Sequence, residues 1–212
     1  MRIVITAGGT REYIDPVRFI SNASTGRMGY ALAHAAKARG HIVTLITAPT
    51  EIKAPPDVDV INVLTSEEMF RAVKETFDAC DCLIMAAAVA DYAPLRTSKT
   101  KIKKSQANLT ITLKPTTDIL AWAGRHKKKH ILVGFALEDD ALRERAEKKL
   151  HDKNLDLIVA NAPASIGAGT ATVHMKTARG PWTTHAPTLK TRIAMKILAQ
   201  VEALTAWRYF WG

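Results

Sequence analysis

The sequence is poor in the residues and runs that define several protein classes. Its 212 residues include only two cysteines, Cys80 and Cys82, which lie too close together for a useful structural disulfide. No second cysteine pair and no histidine pair at zinc spacing accompanies them, so we interpret both as buried thiols and predict no metal site made of protein ligands. No apolar run reaches the ~20 residues of a membrane-spanning helix. Because no signal-peptide pattern precedes the first strand, we expect a cytoplasmic protein that does not engage a membrane.

The sequence also lacks the common nucleotide-binding motifs. The turn after the first predicted strand does not read GxGxxG, and the second strand ends in Thr47-Ala48-Pro49-Thr50, without an acidic residue to hold a ribose. None of the four tyrosines has a lysine four residues later, and the GK dipeptide that a P-loop requires is absent. A P-loop enzyme is therefore excluded, and a Rossmann-like NAD(P)- or flavin-binding oxidoreductase is kept only as an alternative.

Positive charge is abundant but local. The formal net charge of +10 would suit a nucleic-acid-binding module, which is kept as a second alternative. The most conspicuous basic runs are two clusters, 99–104 and 125–130, without the interleaved aromatic residues of a single-strand binder. We interpret the second cluster as a solvated connection and the first as lysines that lean over the preceding strand end. A small, highly charged substrate is therefore expected, and no nucleic acid.

Apolar runs alternate with helical patterns along the chain and predict one domain over residues 1–212. Several strands, such as 82–86 and 131–135, are continuously apolar, as in parallel strands that helices cover on both faces. An α/β fold with a Rossmann-like, doubly wound, mostly parallel sheet is expected, with ligands beyond the carboxyl ends of the strands. Strands are predicted at 2–6, 42–47, 59–64, 82–88, 109–113, 131–136, 156–160 and 171–176, and helices at 24–39, 66–79, 117–125, 139–152 and 187–204.

The connection between the first strand and the first helix, residues 6–29, is unusually elaborate. Gly8 and Gly9 let the backbone approach a ligand closely. Further on, Ser24 or Thr25 is predicted to cap a helix whose free N–H groups attract an anion. Either fragment alone could be a tight turn or a plain cap, but the two together favour a phosphate-binding site.

These and later segments resemble a known family, the phosphopantothenoylcysteine synthetases of coenzyme A biosynthesis, which form the synthetase half of a bifunctional bacterial enzyme. The resemblance spans roughly residues 3–160 and resumes near 187–202. It rests on motifs in the family's order and spacing: ITAGGTRE at 5–12, IDPVRFISNASTGRMGYALA at 14–33, AAAVADY at 86–92, KIKK at 101–104, VGFALE at 133–138 and KKLHDKNLDLIVAN at 148–161.

The resemblance implies a ligase that joins 4'-phosphopantothenate to cysteine through an acyl-nucleotide intermediate, with CTP as the preferred nucleotide or ATP in its place. Mg²⁺ is expected because the charge of a triphosphate must be screened. Family members are dimers whose partner chain helps to close the pantothenate site, so a homodimer is expected. The flavin-dependent decarboxylase half is missing, which fits either a separate decarboxylase chain or a fragment. A related carboxylate–amine ligase of changed specificity is the main alternative.

The same resemblance implies three catalytic residues. Asn22 matches the catalytic asparagine of the family, and its amide is a candidate donor to a tetrahedral oxyanion. An Asx turn before the helix is the alternative reading of Asn22. Arg18 is expected to bind the phosphate or carboxylate of the pantothenate in bidentate fashion, although it could instead form a surface salt bridge. Lys101, the first lysine of KIKK, is expected to neutralise the triphosphate.

The remaining implied residues bind the nucleotide. Asp91 is expected to hold the base, the ribose or the hydration shell of a metal. Lys149 and Lys153 lie about one helical turn apart, and without the resemblance they would be ordinary solvated positions. The predicted nucleotide-binding set is Gly8, Gly9, Thr10, Ala86, Ala87, Ala88, Asp91, Lys101, Asp118, Ile119, Phe135, Lys149 and Lys153.

The sequence departs from the family pattern in the later part of the predicted site. Residues 116–119 read TTDI where the family has NPDI, Arg27 stands in place of a lysine, and SIGAGTATVH at 165–174 replaces an aromatic-and-asparagine pattern. The aromatic tail at 205–212 is interpreted as a subunit contact, a packed cap or a cloning remnant, with none favoured. No residue is diagnostic for cytosine over adenine.

Overall fold

The computed structural model describes residues 1–165, 167 and 169–211, except for the side chains of residues 165 and 208–211. The expectations for the end of the aromatic tail therefore lie outside the described residues. The described chain forms strands β1 Arg2–Ala7, β2 Arg11–Tyr13, β3 Phe19–Ser21, β4 Ile42–Thr47, β5 Asp59–Asn62, β6 Cys82–Met85, β7 Tyr92–Pro94, β8 Leu113–Pro115, β9 Ile131–Leu137, β10 Leu157–Asn161, β11 Thr170–Thr177 and β12 Thr183–Leu189. Its α-helices are α1 Arg27–Ala38, α2 Ser66–Phe77, α3 Ile119–His126, α4 Leu142–Asp152 and α5 Lys190–Trp211.

The main sheet has the strand order β12-β11-β10-β9-β6-β1-β4-β5. The six strands from β10 to β5 are mutually parallel, whereas β11 and β12 add an antiparallel hairpin at one edge. Numbered along the chain, the parallel strands follow the 3-2-1-4-5-6 order of a doubly wound sheet, with the reversal between β1 and β6. The predicted α/β, Rossmann-like fold is therefore confirmed.

Helices cover both faces of this sheet, which explains why its strands are apolar without alternation. One core contains Ile3 and Ile5 of β1 and packs against α1 and α5, while Val4 points into a second core under α2, α3 and α4. Cys80 and Cys82 are buried thiols in these two cores, as predicted, and neither is in a disulfide. Burial raises the pKa of Cys80 to about 12. None of the helices in the described residues combines the length and the hydropathy of a transmembrane span.

Several predicted boundaries were wrong. The strand predicted at 109–113 begins only at Leu113, because the residues before it are largely exposed and lack a neighbouring strand to pair with. The helix predicted from 187 begins at Lys190, because β12 continues through Leu189. The helix predicted from 24 begins at Arg27. Its N-cap is Gly26 with φ 74°, so the predicted cap by Ser24 or Thr25 is wrong.

Two short hairpins outside the main sheet were missed. β2 pairs with β3, and β7 pairs with β8, each over three residues, which is too short for a periodic pattern. Residues 95–112, which we term the arm, connect β7 to β8 and are exposed from 103 to 110. The hydroxyl of Thr97 and the N–H of Ser98 donate to the carbonyls of Tyr13 and Ile14, both at 2.9 Å, which fastens the base of the arm to the first hairpin.

Candidate functional site

A cleft of ≈ 630 Å³ lies at the carboxyl edge of the sheet, beyond the ends of β6, β9 and β10 and beside the start of α1. This is the position where doubly wound sheets bind their ligands, next to the reversal in strand order. Its volume is in the range of small-molecule sites. The cleft is therefore the candidate active site.

The back of the cleft is a hydrogen-bonded junction between the loops that follow β1 and β6. Ala88 N donates to the Gly8 carbonyl at 2.8 Å, Thr10 N donates to the Ala88 carbonyl at 3.3 Å, and Ala90 N donates to the Thr10 hydroxyl at 2.9 Å. Gly8 is required here, because it has φ 79° and a Cβ would lie 2.7 Å from the Ala48 carbonyl oxygen. Gly8, Gly9 and Thr10 are buried behind the wall, whose surface is formed by Ala86, Ala87 and Ala88.

Asn22 lines the cleft and reaches across this junction. Its side-chain Nδ2 donates to the carbonyl of Val89 at 3.1 Å and to that of Ala88 at 3.4 Å. These partners lie 67 and 66 residues away along the chain, so the amide bridges two elements and does not form a local Asx turn through these bonds. Because the carbonyls engage the amide nitrogen, donation to an oxyanion would require one of the two N–H groups to be released.

The start of α1 forms another wall. Gly26 caps the helix without a side-chain hydrogen bond, and no acidic residue lies in the first turn. The first N–H groups of a helix have no intrahelical partners, and their partial positive charge favours an anion. Ser24, Thr25 and Arg27 line the cleft at this end, and Arg27 Nη1 donates to the Gly167 carbonyl at 3.0 Å.

Two lysines of α4 and its C-terminal end enter the cleft from the opposite side. Lys149 Nζ donates to the Phe135 carbonyl at 2.7 Å, and Lys153 Nζ forms an ion pair with Asp118 at 2.7 Å. Burial lowers the pKa of Lys149, and the charge of Lys153 lowers it further. Burial acts to raise the pKa of Asp118, but hydrogen bonds from Lys153 and from Ala121 N outweigh it, so this pKa is lowered.

The structure brings most of the predicted nucleotide-binding residues to one cleft. Those that line it are Ala86, Ala87, Ala88, Asp91, Asp118, Ile119, Phe135, Lys149 and Lys153, together with Asn22. Arg18 and Lys101 are outside the lining. Lys101 is exposed on the arm, and Arg18 forms an ion pair with Asp15.

Lys190 also lines the cleft, although no motif in the sequence predicted a role for it. Burial lowers the pKa of Lys190, and the nearby charge of Arg27 lowers it further. Lys190 is the first residue of α5, directly after β12. The helix was predicted to begin at 187, so nothing marked Lys190 as a helix start at the carboxyl edge.

The described residues provide no evident protein cage for a metal ion. No group of three or more His, Cys, Asp or Glu side chains converges among them. Asp91 and Asp118 line the same cleft, but Asp118 is already paired with Lys153. Divalent cations of the Mg²⁺ type commonly bind through one or two carboxylates and substrate phosphates, so a cation here would depend on the phosphates of its ligand.

Comparisons with known proteins agree with this architecture. A family model described as the DNA/pantothenate metabolism flavoprotein C-terminal domain matches residues 1–204. The chain is 52% identical over 170 residues to a cysteine/cysteine sulfinic acid decarboxylase from an unknown prokaryotic organism, covering 79% of this chain and 47% of that protein. It is 49% identical over 168 residues to the coenzyme A biosynthesis bifunctional protein CoaBC of Bacillus subtilis, covering 79% and 41%. The chain thus spans less than half the length of either relative.

A solved structure resembles the whole fold. The C-terminal domain of a coenzyme A biosynthesis bifunctional protein CoaBC superposes with a TM-score of 0.84 at 38% identity. The match covers 96% of this chain and 94% of that one. The similarity therefore includes the strands and loops that build the cleft.

Proposed function

This chain belongs to the family of the DNA/pantothenate metabolism flavoprotein C-terminal domain, and we propose that it acts as a phosphopantothenate–cysteine ligase of coenzyme A biosynthesis. The observation that carries the proposal is the position of Asn22. Its amide reaches Ala88 and Val89 at the strand-order reversal, in the same cleft as the two α4-side lysines. The asparagine of the family motif, the AAA strand end and two cations thus surround one space of suitable volume.

The proposed reaction has two steps. In the first, a carboxylate oxygen of 4'-phosphopantothenate attacks the α-phosphorus of the nucleotide, and the bond to the leaving pyrophosphate breaks. In the second, the amine of cysteine attacks the acyl carbon, loses a proton and displaces the nucleoside monophosphate. The start of α1, which has no side-chain cap, supports a site for the phosphates, and the half-buried Lys149 supports a site for the nucleoside part.

We assign Asn22 to the second step as its oxyanion donor, which requires its Nδ2 to exchange a carbonyl partner for the developing charge. Removing one such donor typically costs about 10²–10³-fold in rate. CTP is proposed as the preferred nucleotide on the family resemblance alone. Mg²⁺ is proposed to enter with the nucleotide phosphates, where it supplies charge screening.

A homodimer is proposed from the exposed apolar side chains around the two hairpins. Two of them, Leu95 and Leu109, line a second cleft of ≈ 420 Å³ under the arm, together with Ile14 and Ile111. Exposed apolar side chains that lie together are typical of a protein interface. The exposed members are Val17, Phe19, Tyr92, Leu95, Leu109 and Leu113. On the family resemblance alone, a separate flavin-dependent decarboxylase chain is proposed as a partner.

Pyrophosphate release by the purified protein tests the proposal. The assay contains 4'-phosphopantothenate and Mg²⁺, compares CTP with ATP, and is run with and without cysteine. We expect nucleotide-dependent release, with formation of the cysteine amide reduced about 100-fold or more by Asn22→Ala. His34→Ala, at an exposed position of α1, is the control. The absence of release with either nucleotide from folded protein would refute the ligase.

A related ligase of changed specificity is the second candidate, favoured by residues 116–119. Thr116 replaces the asparagine of the family motif, and its hydroxyl donates to the Ala90 carbonyl at 2.6 Å beside the cleft. A panel of amines in the same assay separates the candidates. Faster turnover with another amine than with cysteine would favour the second.

A further inference from the structure

Asp15 and Arg18 form a compact ion pair at the foot of the arm. Asp15 is fully buried, and its carboxylate accepts hydrogen bonds from Arg18 Nε at 3.0 Å and from Arg18 Nη2. The backbone N–H groups of Val17 and Arg18 donate to its other oxygen, each at 2.9 Å. The Arg18 guanidinium holds the pKa of Asp15 well below its usual range despite its burial. The carboxylate is therefore ionised at neutral pH.

This ion pair also binds the arm, through the backbone of Ile102. Ile102 N donates to Asp15 Oδ2 at 3.0 Å, and Arg18 Nη2 donates to the Ile102 carbonyl at 2.7 Å. Both polar groups of the Ile102 backbone are thus bound by the pair. Because adjacent Cα atoms are about 3.8 Å apart, the two bonds to Ile102 also restrict the backbone position of Lys101.

The geometry points to Asp15 and Arg18 as positioning residues that hold the arm at Ile102 and thereby position the neighbouring Lys101. Arg18 then acts through Ile102, and direct contact with the phosphate or carboxylate of the substrate, predicted from the sequence, is unnecessary. The guanidinium already has two partners, Asp15 and the Ile102 carbonyl, that leave little of its planar fork for a bidentate anion. This inference rests on the proposed function in taking Lys101 as the lysine that meets the triphosphate.

Limited trypsin digestion tests, without any assay of activity, whether the ion pair holds the arm at Ile102. The exposed lysines of the arm are its cleavage sites. In Arg18→Gln, we expect cleavage within the arm to be about tenfold faster or more, because the bonds lost involve a charged group. Arg71→Gln, which removes the same charge from an exposed position of α2, should be cleaved like the wild type. Unchanged cleavage of Arg18→Gln would overturn the inference.

A double-mutant cycle tests the positioning role. Arg18→Gln should lower the maximal rate of pyrophosphate release about tenfold or more, leave the KM for phosphopantothenate nearly unchanged, and have little further effect in a Lys101→Ala background. Additive losses, or a raised KM for phosphopantothenate as the main effect, would instead identify a substrate ligand and overturn the inference. If the wild type releases no pyrophosphate, the proposed function and the reaction role of Lys101 both fail. Trypsin cleavage still shows whether Arg18 holds the arm at Ile102.

Arg18→Lys distinguishes positioning from general destabilisation. One ammonium group can bridge Asp15 and the Ile102 carbonyl, so this variant should recover part of both the trypsin resistance and the rate. If Arg18→Gln proves unfolded, Arg18→Lys carries the same comparisons at a smaller amplitude. Equal trypsin sensitivity of the two folded variants would contradict the proposed bridge.

Discussion

Lys149 is a half-buried cation in the candidate site, and its position costs the fold stability. Burial and Lys153 lower its pKa, so its folded-state pKa lies below the ordinary value of the unfolded chain. Holding the protonated lysine inside therefore costs stability at neutral pH. This cost is fully present below the folded-state pKa and falls as the pH rises from there toward the ordinary value.

We therefore expect Lys149→Met to separate binding from stability. The variant should keep or raise the melting temperature at neutral pH, with a smaller gain at higher pH, while the KM for the nucleotide rises about 10- to 100-fold. Thermal unfolding at several pH values and pyrophosphate release measure the two effects. Lys148→Met, which changes an exposed neighbour on the same helix, is the control. An unchanged KM would remove Lys149 from the nucleotide site.

The residues of the site were predictable to the extent that they stand in recognisable motifs. Asn22, Asp118 and Lys149 were all named from sequence, and all line the cleft. The contact between Arg18 and Ile102 was not predictable, because it joins residues 84 positions apart through a backbone carbonyl. A backbone acceptor is present at every residue and so leaves no mark in the sequence.

Among the elements, α1 is the one whose packing sets the site most directly. A Cβ on Gly29 would lie 2.5 Å from Ala7 Cβ and 2.9 Å from the Thr6 carbonyl oxygen. Glycine therefore lets α1 lie close against the end of β1. The same helix begins at the cleft with Gly26 and Arg27.

Gly29→Ala should push α1 away from β1. We expect a loss of about 1–3 kcal/mol in the free energy of unfolding, as for other overpacked sites, with a weaker affinity for the nucleotide because the helix start moves. Chemical denaturation measures the first effect. His34→Ala, at an exposed position of α1, should change stability by no more than about 0.5 kcal/mol. Equal stability of Gly29→Ala and the wild type would show that the helix has room to move.

The buried strands of the parallel sheet were predictable, whereas the short hairpins and the seven-residue edge strand β12 were missed. β1, β4 and β9 are buried runs bounded by turns, and their predicted bounds differ from the structure by at most one residue at either end. The hairpins β2–β3 and β7–β8 have only three residues per strand. The alternating pattern at 109–113 failed for a physical reason, because alternation creates a strand only where another strand supplies hydrogen bonds.

At the scale of the whole molecule, the proposed homodimer can be tested at the exposed apolar side chains around the arm. If a second copy covers them, Leu109→Glu places two charges in the buried interface of the dimer, which is costly without a partner. We expect the dissociation constant of the dimer to rise at least about tenfold, measured by light scattering across a concentration series.

The control for this prediction is Ile42→Glu. Ile42 is as exposed as Leu109, at 61% against 56%, but it begins β4 at the amino edge of the sheet. This variant should behave like the wild type. A wild-type protein that is monomeric at all concentrations would contradict the proposed homodimer.

The arm is also a closed insertion. Leu95 N donates to the Thr112 carbonyl at 2.9 Å, and Pro94 and Leu113 are paired where the arm leaves the hairpin. Its two ends therefore meet whatever lies between them. The free-energy cost of closing a loop grows only slowly with its length. The arm can therefore be lengthened, shortened or replaced by the arm of a homologue while the sheet beneath it stays the same.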